Sequence, residues 1–372
     1  MKHVLLVSNT TRNIYHYRRA VWRDLLARGY RVTAVAAPDA NLADLRAAGI
    51  AVHAVPQLAE YGSSPYQLYR IYRLLVAAYT RDRPDAILHF TIQANTLGSL
   101  AAGRCGIPSA ATVTGLGTTW LASRLSRWLT IVLYRCTLPL ARLVITQNVA
   151  DAEELRGAGI RAGEWRTIGG SGVDTEQYTV RAPGELPAEK TYLYFGRMLT
   201  DKGVGELFAA WKLAWAAGLR GRLMLVGERP TDHPRVIPGT VWREGLSLPG
   251  VTYRPATDHV IAILRESHFV VLPSYREGLS RSLLEALATG TPVITTDVPG
   301  CRELVEGRGT GWMVDVKSPT SLAMAMLEAD QTSNPAYAAM GRRGWQLVRD
   351  RYSAGIVAGA YSKVVEDLTV GP

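Results

Sequence analysis

Cysteine is scarce in this sequence, three residues in 372, and Cys105, Cys136 and Cys301 show no paired spacing. An odd, scattered set excludes a disulfide-scaffolded fold and a cysteine metal site, and it predicts reduced thiols in a cytoplasmic protein. Long apolar runs are missing as well. The most apolar stretch, Trp120–Ile145, is broken by Arg124, Arg127, Arg135 and Arg142, too often for the roughly 20 apolar residues that a membrane-spanning helix needs. The opening Met1-Lys2-His3-Val4-Leu5-Leu6-Val7 holds too short an apolar run for a signal peptide, so secretion is not expected. There is no low-complexity segment. With 47% apolar residues and ordinary glycine and proline content, neither a fibrous nor a disordered chain fits, and the length suits two domains, each with its own core.

What is present is an alternation repeated twice. Apolar runs at Val4–Ser8, Arg31–Ala36, Ala86–Phe90, Ser109–Thr114 and Leu143–Thr146 are separated by helical stretches. A second series starts at Thr191–Gly196 and continues through Arg222–Gly227, Val251–Arg254, Phe269–Pro273 and Pro292–Thr295. Strand alternating with helix predicts an α/β protein with parallel sheets. Between the series, Ile168-Gly169-Gly170-Ser171-Gly172-Val173-Asp174 and the stretch to Lys190 read as a linker. The expected division is residues 1–170, a linker over 171–188 and a second domain over 189–352. A last helix, about 353–372, is expected to pack back on the first domain.

The net charge of +10 is uneven: residues 1–185 carry 21 Lys/Arg against 13 Asp/Glu. The first half therefore faces something anionic. Its basic residues interleave with aromatic and aliphatic ones. Trp120, Leu121, Leu125, Trp128, Leu129 and Val132 recur at helical spacing among Arg124, Arg127 and Arg135, as in a helix lying in a membrane interface. Tyr66–Tyr79, with Arg70 and Arg73, could extend that surface. A crossover helix packed in the core, its arginines reaching out to water, is the simpler alternative. Nucleic acid is the other anionic candidate, but it leaves the motifs below unused.

The sharpest motif runs from Ser274 to Pro292: a strand ends, a Gly-containing loop turns, Ser280 can cap a helix, and Gly290 and Pro292 end it. A helix start at the carboxyl end of a parallel strand is an anion site, so a phosphate or a sugar hydroxyl belongs there. Glu277 and Glu285, eight residues apart, are separated by up to about 12 Å along a helix axis. Two carboxylates accept hydrogen bonds from hydroxyl pairs and suit a polyol. Taken alone, they could equally be two surface glutamates. In Phe195-Gly196-Arg197-Met198-Leu199-Thr200-Asp201-Lys202-Gly203 another strand runs into a helix, and Arg197 and Lys202 could converge on one anion.

Together these segments, with Thr295-Thr296-Asp297-Val298-Pro299-Gly300-Cys301-Arg302-Glu303, resemble the Glu-x7-Glu region of the family 4 retaining glycosyltransferases. The resemblance implies the GT-B fold, two Rossmann-like domains whose parallel sheets face each other across a cleft. It implies that Glu277 meets the donor hexose hydroxyls and that Gly278, Leu279 and Ser280 present backbone amides to the donor. Glu285 would hold the ribose, and Gly196, Arg197 and Lys202 the donor diphosphate. Glu228 and Arg254 fall in loops that contact the nucleotide base in the family. Glu277, Arg197 and Lys202 would be the catalytic residues. No Asp-x-Asp metal site is present, so neither metal nor other cofactor is expected.

In the first domain, the loop Ser8–Arg18 lacks the glycines of many family members. It resembles instead the Ile-Tyr-His loop of the bacterial transferases that extend a polyprenyl-diphosphate-linked sugar, a subgroup with N-acetylgalactosaminyltransferase members acting on lipid-linked bacillosamine. The likeness continues in Gln93–Ala102 and Val113–Gly117. Acceptor-side candidates are therefore Asn9, Tyr15, His16, Gln93, Asn95, Thr114 and Gly115. Many relatives have a histidine near Thr114–Gly115, and this chain has none. His16 takes an acceptor-site or a structural role, and His89, at a strand end, is a weaker candidate. The implied reaction is retaining transfer of a hexose or N-acetylhexosamine from a nucleotide sugar, UDP-HexNAc above all, to a lipid-linked sugar. It would take place on the cytoplasmic face of the cell membrane, with the protein peripherally bound and no nucleic-acid partner. A sugar-nucleotide epimerase of the same fold and a non-catalytic sugar-nucleotide-binding protein are the alternatives.

Overall fold

The computed structural model describes residues 1–59, 64–121, 123–181 and 186–370, with Thr118 and Thr119 by their backbone alone. It resolves into two compact units, Met1–Gly172 with Ala354–Pro372, and Val173–Ser353.

The first unit is built on seven parallel strands: β1 (His3–Thr10), β2 (Arg31–Ala37), β3 (Ala51–Ala54), β4 (Ala86–Phe90), β5 (Ser109–Val113), β6 (Leu143–Thr146) and β7 (Glu164–Thr167). They lie in the order β3-β2-β1-β4-β5-β6-β7. β4, β5 and β6 are buried along their whole length, as sheets covered on both faces require. One face is covered by the helix Pro65–Asp82, which starts at a Ser64/Gln67 capping box with proline at its first turn. The other is covered by Arg19–Ala27 and the C-terminal helix Ala354–Thr369. Val357, Tyr361, Val364 and Val365 are buried there among Val21, Trp22 and Leu25, and the Tyr361 ring packs at a tilt against Phe90 of β4, centroids 5.7 Å apart. At about 1.5–3 kcal/mol for each buried side chain, that seam fixes the helix to this unit.

The second unit repeats the plan with β8 (Thr191–Phe195), β9 (Arg222–Val226), β10 (Val251–Arg254), β11 (Phe269–Leu272), β12 (Val293–Thr296) and β13 (Gly311–Val314) in the order β10-β9-β8-β11-β12-β13, all parallel. Its core includes an aromatic cluster in which Phe269 meets Tyr192, Trp312 and Tyr337, and Tyr192 meets Trp211.

The twofold alternation read from the sequence is present. Sequence reading missed β3, β7 and β13, which are short edge strands with partly exposed residues, so their alternation carries little apolar signal. In each sheet the strand order reverses at one point, between β1 and β4 and between β8 and β11. Ligands of such sheets bind beyond the carboxyl ends of the strands at that reversal.

Candidate active site

In the second unit, the segments after β8 and β11 meet at the reversal point. After β8 the chain makes a 3-10 turn, Thr200–Lys202, before the helix Val204–Ala216. Gly203 between them has φ +72°, and a Cβ there would sit 2.1 Å from the Pro273 carbonyl oxygen, so only glycine lets the two chains cross. The crossing is tied by Tyr275 N–H and the Ser274 hydroxyl, which both donate to the Asp201 carbonyl, at 2.9 and 3.3 Å.

That register brings Lys202 to Glu277, with Nζ 2.5 Å from Oε1. Their side chains are 21% and 15% exposed, open enough for a ligand to reach and dry enough for charge to count. Two further contacts fix the Glu277 loop on the next loop: Glu277 N–H donates to the Pro299 carbonyl, and Ser280 N–H to that of Gly300. Gly300 N–H is in turn held by Glu303 at 2.8 Å. The loop's charges reach buried neighbours. Burial first, then the Glu277 and Asp201 carboxylates, push the Tyr194 phenol far above its ordinary value. Burial and Glu277 push the Cys301 thiol up, so neither group ionises near neutral pH.

Gly278, Leu279 and Ser280 are buried, and Ser280 caps the helix Arg281–Ala288 by accepting from Leu283 N–H. Glu285 lies within that helix, 6% exposed, its Oε1 accepting from Arg281 Nε at 2.7 Å. Tyr178 also engages it: burial and the Glu285 carboxylate raise the Tyr178 phenol. Arg197 is exposed and has no side-chain hydrogen bond or ion pair among the described residues. Its carbonyl accepts from the Tyr194 hydroxyl at 2.7 Å. Gly196, also exposed, donates its N–H to Val226.

The β9 and β10 loops join the same surface through backbone contacts. Gly227 at φ +148° passes so close to Gly196 that a Cβ would lie 1.9 Å from its carbonyl oxygen. The Glu228 carbonyl accepts from Met198 N–H, and the Arg254 carbonyl from Gly227 N–H. The side chain of Glu228 is exposed, and that of Arg254 pairs with Glu266 at 3.0 Å.

Acceptor-side candidates in the first unit collect at its own reversal point. Asn9 is the penultimate residue of β1, which is followed by a π-helical turn, Asn13–Tyr17, carrying Tyr15 and His16 edge-to-face with centroids 5.1 Å apart. A second π-helical turn, Ala94–Gly98, follows β4 just after Gln93. Turns of this type are uncommon and recur at functional sites. Asn95 is buried and donates its amide to the Thr112 carbonyl of β5 at 2.8 Å, which makes it a brace for the second turn. Thr114 and Gly115 follow β5, partly exposed, Gly115 at φ +122°. His89 is a core residue: desolvation lowers it to about 3, and its Nε2 is 3.0 Å from the Tyr79 hydroxyl.

Comparison with known proteins follows the same two halves. The profile described as "Glycosyl transferase 4-like domain" matches residues 14–170, and "Glycosyl transferases group 1" matches residues 189–330. The chain is a family 4 glycosyltransferase of the GT-B fold. It is 26% identical over 334 residues to the N,N'-diacetylbacillosaminyl-diphospho-undecaprenol alpha-1,3-N-acetylgalactosaminyltransferase of Campylobacter jejuni, covering 85% of this chain and 86% of the relative. It is 28% identical over 196 residues, 49% of this chain and 50% of the relative, to the GDP-mannose:cellobiosyl-diphosphopolyprenol alpha-mannosyltransferase of Xanthomonas campestris. Among solved structures, Anabaena Alr3699/HepE in complex with UDP and glucose superposes with a TM-score of 0.80 at 18% identity, covering 99% of this chain and 100% of that one.

Two features of the transferase escaped sequence reading, and a third decides between the two readings of one helix. Arg235 and His233 join the Arg197–Lys202 loop because the segment after Glu228 folds back on it, through an antiparallel bridge Leu199–Val236 and a Thr200 N–H bond to the Arg235 carbonyl. The only sequence signal was a run of charged and proline residues. Thr91, after β4, is held at φ +83°, an outlier for a β-branched residue. Finally, the helix Arg124–Thr137 turns its apolar side outward. Leu125, Trp128 and Leu129 are 67%, 58% and 52% exposed, and only Tyr134 and Thr137 are buried, so a core-packed crossover helix is ruled out. No helix of the described residues is long and apolar enough to cross a membrane.

Proposed function

We propose that this transferase moves a hexose or N-acetylhexosamine, from UDP-HexNAc in the first instance, to a polyprenyl-diphosphate-linked sugar with retention at the anomeric carbon. The carrying observation is the Lys202–Glu277 pair beside Arg197 at the reversal point of the second unit. Two cations there suit a diphosphate leaving group, and a carboxylate a few ångströms away suits the hydroxyls of the sugar being transferred. Lys202 and Arg197 stabilise the charge that builds on the departing nucleoside diphosphate. Glu277 orients the donor sugar and stabilises positive charge at the anomeric carbon. Departure and attack on the same face then give retention. The Arg281–Ala288 helix start, capped by Ser280, adds partial positive charge for the donor. Glu285 is placed to take the ribose hydroxyls by exchanging its Arg281 and Tyr178 partners. Glu228 and Arg254 border the base, and Asn9, Tyr15, His16, Gln93, Thr114 and Gly115 the acceptor.

The acceptor class is supported by similarity to the Campylobacter jejuni and Xanthomonas campestris enzymes, whose names specify lipid-linked substrates. It is supported independently by the outward-facing helix. Leu125, Trp128 and Leu129, flanked by Arg124 and Arg127, fit a bilayer surface carrying anionic head groups. The protein would work there peripherally, on the cytoplasmic face, without metal or nucleic acid. Among the described residues no group of three or more His, Cys, Asp or Glu could hold a metal ion. Neither the epimerase nor the binding-protein alternative is favoured by the relatives.

Incubation of the purified protein with a panel of UDP- and GDP-sugars tests this reading, with and without a bacterial lipid extract and in excess EDTA. Radiolabel passing from one donor into the organic phase, undiminished by EDTA, is the expected result. Turnover independent of lipid would overturn the acceptor assignment.

A further inference from the structure

Around the Arg197–Lys202 loop the second unit gathers more positive charge than the family motif supplies. The segment from Glu228 to Ile237 runs back along that loop and is bonded to it at three points: Glu228 carbonyl to Met198 N–H, Arg235 carbonyl to Thr200 N–H, and Ile237 N–H to the Met198 carbonyl. The lacing carries Arg235 to Asp201, with Nη1 3.0 Å from Oδ2. It also carries His233 within electrostatic reach of Arg197, Arg235 and Asp201, where it accepts a hydrogen bond from Arg235 N–H at 3.2 Å. Arg197, Lys202 and Arg235 thus stand together, with Asp201 paired to Arg235 and Glu277 to Lys202.

The Arg235–Asp201 pair is incomplete. Its closest atoms lack hydrogen-bond geometry: among the described residues, Arg235 Nη1 and Asp201 Oδ1, both buried, have no hydrogen-bond partner. A guanidinium carries five N–H donors in a fixed fork matched to carboxylate and phosphate oxygens. With Nη1 buried and unused while the side chain is still 23% exposed, the fork is costly to leave incomplete and open to a ligand that completes it. We infer that Arg235 is a third phosphate-binding cation of the donor site, held by Asp201 beside Arg197 and Lys202 and completed by the diphosphate of the nucleotide sugar. This rests on the donor-site reading above. Asp201 keeps the fork from swinging to water when the site is empty, and the antiparallel lacing fixes the arm from which it reaches.

The test is calorimetric titration of the full-length protein with UDP and GDP, and with the corresponding nucleosides. Wild type is expected to bind one diphosphate. Arg235→Gln should weaken that binding at least about tenfold, the nucleoside changing little, at an unchanged melting temperature. Asp201→Asn, which releases the fork but leaves its charge, should keep the diphosphate affinity within about threefold. Should the glutamine variant not fold, Arg235→Lys replaces it, with a smaller loss of the same kind expected. Wild-type protein that binds neither diphosphate would overturn the donor-site reading and this inference with it. Wild-type binding matched by the Arg235 variant, or an Asp201→Asn loss as large as that of Arg235→Gln, would overturn the inference alone, leaving the pair a structural brace.

Discussion

Lys202 and Glu277 stand 75 positions apart in the chain and 2.5 Å apart in the fold. Each answers the other's charge, and in the proposed function a donor would part them, its diphosphate taking the ammonium and its sugar hydroxyls the carboxylate. The pair braces two loops, and in the proposed function it is also where donor binding would be felt.

Removing either partner leaves the other as an uncompensated, largely buried charge and, in the proposed function, removes a contact to the reacting donor. Lys202→Ala and Glu277→Gln should each lower kcat by about 100-fold or more, the range seen when one charge-stabilising group is deleted from an active site. Steady-state kinetics with the donor found in the panel would show it. Rates within a few-fold of wild type for either variant would remove that residue from the catalytic set.

The outward-facing helix predicts a separable membrane defect. Trp128→Asp places a charge where 58% of the residue is already exposed, so thermal stability should move by no more than about 0.5 kcal/mol. Co-sedimentation with vesicles containing anionic phospholipid should fall several-fold, while turnover of a short-chain, water-dispersed acceptor persists. Unchanged vesicle binding would count against the helix as the docking surface.

Thr91 offers a stability test of stored strain. At φ +83°, Thr91→Gly removes the clash of a branched Cβ and should raise stability by about 1 kcal/mol, despite the entropy glycine adds to the unfolded chain. A denaturant titration reads this directly. A destabilised variant would mean that the threonine side chain contributes more packing than its backbone costs.

His89 predicts a pH dependence of known sign. Its folded-state value of about 3 lies below the ordinary 6.5, so the unfolded chain takes up a proton that the folded chain refuses. Stability is unaffected above pH 6.5, and falls as pH drops from there toward 3, by up to about 1.4 kcal/mol per unit from this group. The fall in melting temperature between pH 7 and pH 5 should be smaller in His89→Gln, which has no imidazole to protonate. Parallel curves for the two proteins would show that His89 does not titrate in this way.

Particular residues show how far the sequence reached. The strand–helix alternation was legible because β4, β5 and β8 are buried on both faces and read as continuous apolar runs. β3, β7 and β13 were not, because an edge strand is only half covered and need not be apolar. Arg197, Lys202, Glu277 and Glu285 were legible as candidates from the motifs around them. That Lys202 pairs with Glu277, while Glu285 is occupied by Arg281 and Tyr178, was not.

The sequence by itself determined the twofold α/β plan, the transferase motifs and the basic, aromatic-studded helix, since each depends on residues close together in the chain. Only the tertiary structure decided which face of that helix lies outward, that Arg235 comes to Asp201, and that Thr91 is strained. Those depend on how parallel strands are ordered and how loops from distant strands cross at the reversal point, and local periodicity carries no record of either.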